Sequence, residues 1–344
     1  MTTTNHEGRL ARSSAPLTTS GAPLDRARDV VRAPVEVTES GPSLAARLVF
    51  GASRMTVHPA LAIGSRALQL PWPYGILERA ARGLPTGQDL IRRAVELPYA
   101  HAELLQVRGM ACDTGGVVLY CHGGAFLWGG ISAHLRTIAK LSEFADSPVL
   151  AVNYRTLPKH TIKMALDDCY DAYRWLRRHG YESDQIAIAG DSAGGYLAFA
   201  LAQALAEDGE GPAALTLMSP LLQLAAERPC VNGPMLPHNG FAALTALITA
   251  QGEPLYEPLD HITPGLPPTL IHVSGAEELI HDARQAAQKL AAAGVPTDVR
   301  IWPGQVHVFQ VIAPLVPEAD RSLRQIGDYI RKAVSRDPRS VPAA

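Results

Sequence analysis

The sequence predicts an α/β fold: a mostly parallel central sheet covered by helices on both faces, with an N-terminal helical cap. Three observations predict it. Apolar runs of strand length recur from about residue 105 onward, helical stretches separate them, and glycine or proline bounds several of the runs. Strands that alternate with helices need crossover connections, which give parallel pairing and a sheet covered on both sides. Composition agrees. Of 344 residues, 47% are hydrophobic and 19% charged, enough apolar material for a large core and too much for wholesale disorder. The 31 basic and 33 acidic residues give a net charge of -2, which argues against a phosphate-binding face and a nucleic-acid partner.

Residues 1–42 are rich in Thr, Ser, Pro and Arg and read as a disordered or loosely docked arm. The arm has no apolar stretch of the signal-peptide kind, so a cytoplasmic location is expected. No run of about 18 apolar residues occurs, so stable membrane insertion is not expected. Residues 43–104 read as the helical cap. Leu44, Leu48 and Met55 form one stripe and Leu90, Ile91 and Val95 another, with Pro71, Pro73 and Pro85 breaking the segments between them. The α/β core spans 105–335. Strands are expected at 117–121, 149–152, 186–189, 215–218, 269–273 and, with a weaker pattern, 299–302. The helix from Thr161 spaces Ile162, Leu166, Cys169, Tyr173 and Leu176 on one face and stops at Gly180. The last helix repeats that pattern with Leu323, Ile326 and Ile330. Residues 220–265, rich in proline around an apolar helix at 241–248, read as an insertion that contributes to the cap, and 336–344 as a tail. The four cysteines show neither a disulfide framework nor zinc-ligand spacing, and Cys121 and Cys169 read as small buried hydrophobes. No metal is expected. No nucleotide cofactor is expected either, since neither a phosphate-binding G-x-x-x-x-G-K-[ST] loop nor a strand-borne G-x-G-x-x-G occurs.

The chemistry gathers at turns. Gly190-Asp191-Ser192-Ala193-Gly194-Gly195 follows an apolar strand and opens an apolar helix. A glycine two residues to each side of the serine permits a sharp strand-to-helix turn that exposes the hydroxyl, so Ser192 is the candidate nucleophile. A serine needs a base to take its proton and a carboxylate to orient that base, in the chain order Ser, acid, His. Of the later histidines, His261, His272 and His281 compete with His307. Only His307 sits in a Pro-Gly loop leaving the C-terminal edge of a strand, where ligands of open α/β sheets collect; His272, inside a strand, reads as packed or hydrogen-bonded. The acid follows the strand at 269–273, with Glu277 first and Glu278 and Asp282 as competitors. An attacked carbonyl puts negative charge on oxygen, which backbone N–H groups must meet. The strand running into His122-Gly123-Gly124-Ala125-Phe126 supplies Gly123 and Gly124, with Ala193 beside the nucleophile, while His122 reads as a brace for that loop.

HGGAF at 122–126, about 70 residues before GDSAGG, followed by an acid and His307-Val308-Phe309, resembles the hormone-sensitive-lipase-like family, the bacterial group IV esterases. The resemblance covers about 43–335, with further echoes in Asn153-Tyr154-Arg155, Pro158 and Leu166-Asp167-Asp168. It implies an eight-stranded α/β-hydrolase sheet, an N-terminal cap, and cofactor-free hydrolysis of short- to medium-chain carboxylic esters through a Ser-His-Glu triad. The partner implied is a small-molecule ester, and a homodimer is compatible with it. The chain departs from the family at Ala125, where a third glycine is commoner, at Asn153 for aspartate, and at Glu277-Glu278-Leu279 for Asp-Pro-Leu. Trp72, Tyr74 and Trp128 are candidates for the acyl-pocket wall, against ordinary packing. Rival readings are amide hydrolysis or acyl transfer on the same residues, and a non-catalytic small-ligand receptor, which would be expected to lack His307.

Overall fold

The computed structural model describes residues 33–64, 87–229, 238–252 and 254–335. Its core is a nine-stranded sheet. The strands are β1 (Val35–Thr38), β2 (Leu90–Glu96), β3 (His101–Val107), β4 (Val117–Cys121), β5 (Val149–Asn153), β6 (Ile186–Asp191), β7 (Ala214–Met218), β8 (Thr269–Ser274) and β9 (Thr297–Trp302). Their order is β1-β9-β8-β7-β6-β4-β5-β3-β2, with every pairing parallel except β3 with β5 and β2 with β3. In β4, β6, β7 and β8 every residue is buried, because helices cover both faces and neither side of the strand meets water. Such strands read as continuous apolar runs, which is why the sequence marks them so clearly.

Seven α-helices fall within the described residues: α1 (Leu44–Gly64), α2 (Ile131–Ala145), α3 (Ile162–Arg178), α4 (Ala193–Glu207), α5 (His238–Thr249), α6 (Ile280–Ala292) and α7 (Pro317–Val334). One apolar cluster fills the space between the sheet and α3, α4 and α6, and a second that between the sheet and α2 and α7. Helix α3 begins as its spacing predicts: the Thr161 side chain accepts the Met164 N–H, and Gly180 follows its end with φ of 93°. Cys121 and Cys169 are both fully buried.

Two expectations are corrected. Leu90, Ile91 and Val95 lie on a strand, not a helix, so 90–104 belongs to the sheet and not to a helical cap over 43–104. The hairpin hid because β2 is an edge strand exposed over most of its length, which leaves little apolar alternation to read. Residues 35–38, within the expected arm 1–42, pair with β9 and add the ninth strand to the eight implied. The remainder of the arm (1–32), the cap segment 65–86 with Trp72 and Tyr74, and the tail at 336–344 lie outside the described residues.

The order places β4 between β5 and β6, so connections leave the sheet in opposite directions at that point and open a crevice above the strand ends. Cys121 of β4 stands opposite Gly190 of β6, so the loop and the turn that follow start side by side.

Candidate active site

Ser192 stands between β6 and α4 with φ of 51° and ψ of -120°, a left-handed conformation that a non-glycine residue holds only under constraint. The constraint is visible. Ser192 N–H donates to the Met218 carbonyl at 2.9 Å, and its own carbonyl accepts from Leu221 N–H at 3.0 Å. The flanking glycines are required by contact: a Cβ at Gly190 would stand 2.3 Å from the Gly194 oxygen, and one at Gly194 2.1 Å from the Cys121 oxygen.

Three side chains converge at the strand ends. His307 Nε2 lies 2.9 Å from Ser192 Oγ, and His307 Nδ1 lies 2.5 Å from Glu277 Oε2. Glu277 Oε1 accepts the Ser274 N–H at 2.8 Å and the Ser219 hydroxyl at 2.5 Å. Glu277 is buried, where a carboxylate needs hydrogen-bond donors to replace water. The competing acids sit elsewhere. Asp282 is taken by Arg228, at 2.7 and 2.8 Å, and by the N–H groups of Leu222 and Gln223. Glu278 lines a cavity of about 980 Å³ together with 224–228 and α5. His272 is buried and accepts at Nδ1 from the Trp302 indole N–H at 3.2 Å, the packed and hydrogen-bonded role its position in a strand predicts.

One expected donor is corrected. The Gly123 N–H points into the protein and donates to Asp191 Oδ1 at 2.9 Å, so it is occupied and unavailable to a substrate oxygen. Among the described residues the N–H groups of Gly124, Ala125 and Ala193 have no hydrogen-bond acceptor. The loop makes a tight bend there: φ is 122° at Gly124, 55° at Ala125 and 60° at Phe126. A Cβ at Gly124 would stand 1.8 Å from the Trp128 carbonyl oxygen, so that position requires glycine. Trp128, partly exposed, donates its N–H to the Gly124 carbonyl at 3.1 Å and stands beside the loop.

Sequence reasoning missed what holds the loop. Asp191, buried, also accepts the Tyr120 hydroxyl at 2.6 Å and lies 3.3 Å from His134 Nε2. Burial pushes the Asp191 carboxyl up, but the charge and hydrogen bond of His134, with the Tyr120 hydroxyl, outweigh it and hold it below the usual carboxylate range. His134 lies on α2, and nothing in its local pattern links it to a carboxylate 57 residues on. His122 braces the loop as expected, with Nδ1 at 2.8 Å from the Gly123 carbonyl and its ring stacked on Tyr154 at 4.3 Å. Among the described residues no group of three or more His, Cys, Asp or Glu side chains is placed to hold a metal ion. None of the described helices is long and apolar enough to cross a membrane.

Comparison with known proteins agrees with this architecture. Residues 118–311 match a family of the α/β hydrolase fold. Esterase LipU of Mycobacterium tuberculosis is 58% identical over 81% of this chain and 99% of its own length. Carboxylesterase/phospholipase LipF of the same organism is 54% identical over 88% of this chain and 86% of its own. A crystal structure of an esterase from the bacterial hormone-sensitive lipase family superposes with a TM-score of 0.72 at 29% identity, covering 86% of this chain and 100% of that one. The chain belongs to the hormone-sensitive-lipase-like esterases of the α/β-hydrolase fold and is an ester hydrolase.

Proposed function

We propose that the protein hydrolyses short- to medium-chain carboxylic esters by two acyl transfers, with Ser192 as nucleophile, His307 as general base and acid, and Glu277 as the orienting carboxylate. The observation that carries this reading is the imidazole of His307 bridging Ser192 Oγ and Glu277 at 2.9 and 2.5 Å. Glu277 accepts the Nδ1–H, which fixes the tautomer with a free lone pair on Nε2. That lone pair takes the Ser192 proton as Oγ bonds to the ester carbon. The negative oxygen rests on the N–H groups of Gly124, Ala125 and Ala193, a set that replaces Gly123 by Ala125 because Asp191 occupies the Gly123 N–H. The tetrahedral carbon then expels the alcohol, which takes the proton from His307. Water repeats the attack on the acyl-serine, and the carboxylic acid leaves with Ser192 restored. No cofactor takes part in this scheme.

The relative named carboxylesterase/phospholipase favours a second reading of the substrate, a glycerophospholipid ester cleaved by the same residues. Turnover of p-nitrophenyl esters of increasing chain length, beside phosphatidylcholine micelles, separates the two. Ser192→Ala is expected to abolish hydrolysis of p-nitrophenyl butyrate and labelling by a fluorophosphonate while the far-UV circular dichroism stays as in the wild type. Substantial turnover by that variant would refute the nucleophile.

A further inference from the structure

We infer that Ser219 is a positioning residue for the reaction, a hydroxyl that locks the acid loop to the base loop. The inference rests on the reading of Ser192, His307 and Glu277 as the catalytic residues. Ser219 follows the last residue of β7, the strand between the one that ends at the nucleophile and the one that leads to Glu277. It is fully buried and held at φ of 46°, with its N–H donating to the His272 carbonyl at 2.7 Å. Its hydroxyl lies 2.5 Å from Glu277 Oε1 and 3.3 Å from the N–H of Val308, the residue after the base. An ionised carboxylate only accepts and an N–H only donates, so the directions are fixed. Ser219 gives its proton to Glu277 and takes the Val308 N–H on a lone pair. One oxygen thereby joins the two loops that must hold the acid and the imidazole in register.

The backbone around it supports the assignment. Among the described residues seven non-glycine positions have positive φ, and five of them, Ala125, Phe126, Ser192, Ser219 and Val308, belong to this site. Ser219 and Val308 are both in the left-handed region and meet at the same hydroxyl. Such conformations persist where the surroundings over-determine them. If Ser219 served only the backbone turn, glycine, which adopts that φ without strain, would serve better. What glycine lacks is the hydroxyl.

That contrast is the test. Ser219→Gly and Ser219→Ala are expected to lower kcat on p-nitrophenyl butyrate by about ten- to a hundredfold, the range for losing a hydrogen bond to a charged group, with KM unchanged. The melting temperature of Ser219→Gly should stay near that of the wild type, because the strain relieved at φ of 46° offsets the hydrogen bonds lost. Ser219→Cys, whose S–H donates weakly, should fall between serine and alanine. Wild-type kcat in Ser219→Gly would overturn the inference, and so would a loss of kcat that appears only in variants that also lose thermal stability. Retained turnover in Ser192→Ala is a separate result, which removes the triad itself however the Ser219 variants behave.

Discussion

A carboxylate that orients an imidazole must present one oxygen to the ring N–H and have its other oxygen held by donors, or the side chain turns away. Glu277 meets both conditions, with His307 on Oε2 and Ser274 N–H and Ser219 on Oε1. Its neighbour Glu278 is as buried, yet it lines the cavity shared with 224–228 and α5. Glu277→Gln keeps the shape but presents an amide, which favours the wrong imidazole tautomer, and should lower kcat by about 10³–10⁴-fold. Glu278→Gln should cost far less; kcat of the two variants on one p-nitrophenyl ester decides, and the reverse order would move the acid by one position. That Ser192, His307 and Glu277 come together was legible because strand ends, turn glycines and chain order are local signals. The Gly123 donor was not. Which N–H the loop turns outward depends on a carboxylate 68 residues away, and no spacing within the loop encodes that contact.

At the scale of elements, helix α4 starts where β4 ends, and Gly194 is the point of contact. A Cβ there would meet the Cys121 oxygen at 2.1 Å and the His122 oxygen at 2.4 Å, both backbone atoms that cannot swing aside. Gly194→Ala must push α4 off the loop that carries Gly124 and Ala125. It should lose about 1–3 kcal/mol of stability in urea unfolding and most of its esterase activity. The insertion after β7 is held differently. Arg228 and Asp282, both buried, pair at 2.7 and 2.8 Å, while the Arg228 guanidinium lies 4.5 Å from the centre of the Phe241 ring in α5. Removing one member strands a buried charge. Arg228→Leu should therefore cost about 3–5 kcal/mol and expose the insertion around 224–229 to limited proteolysis. The elements the sequence showed least clearly are those with least buried surface: β1 and β2, edge strands exposed over most of their length. Interior strands such as β4 and β6 declare themselves because both of their faces must be apolar.

For the molecule as a whole, the joint where β8, β9 and α7 meet also sets its tolerance of acid. His272 of β8 is buried and accepts at Nδ1 from Trp302 of β9 at 3.2 Å and from Ser322 of α7 at 2.8 Å, while Ser322 accepts from Gln310 at 2.9 Å. An imidazole with two donors on Nδ1 must be neutral with its proton on Nε2. Burial, and then the charge of Arg300, pushes its pKa down to about 3. In the unfolded chain a histidine titrates near 6.5. Between those values the unfolded state binds a proton that the folded state refuses, so stability is full above about pH 6.5 and falls as pH drops toward 3. The expected slope is about 1.4 kcal/mol per pH unit for this one group. His272→Gln removes the titration, so the difference between wild-type and variant unfolding free energies, measured in urea at pH 6, 5 and 4, should approach that slope. A flat difference would mean that His272 is protonated inside the fold. The same joint lies behind the proposed triad, since the His272 carbonyl holds the Ser219 N–H at 2.7 Å and β9 leads directly to His307. Acid that opens the sheet at β8 and β9 therefore separates Glu277 from His307, and esterase activity recovered after a return to pH 7 should track the fraction refolded.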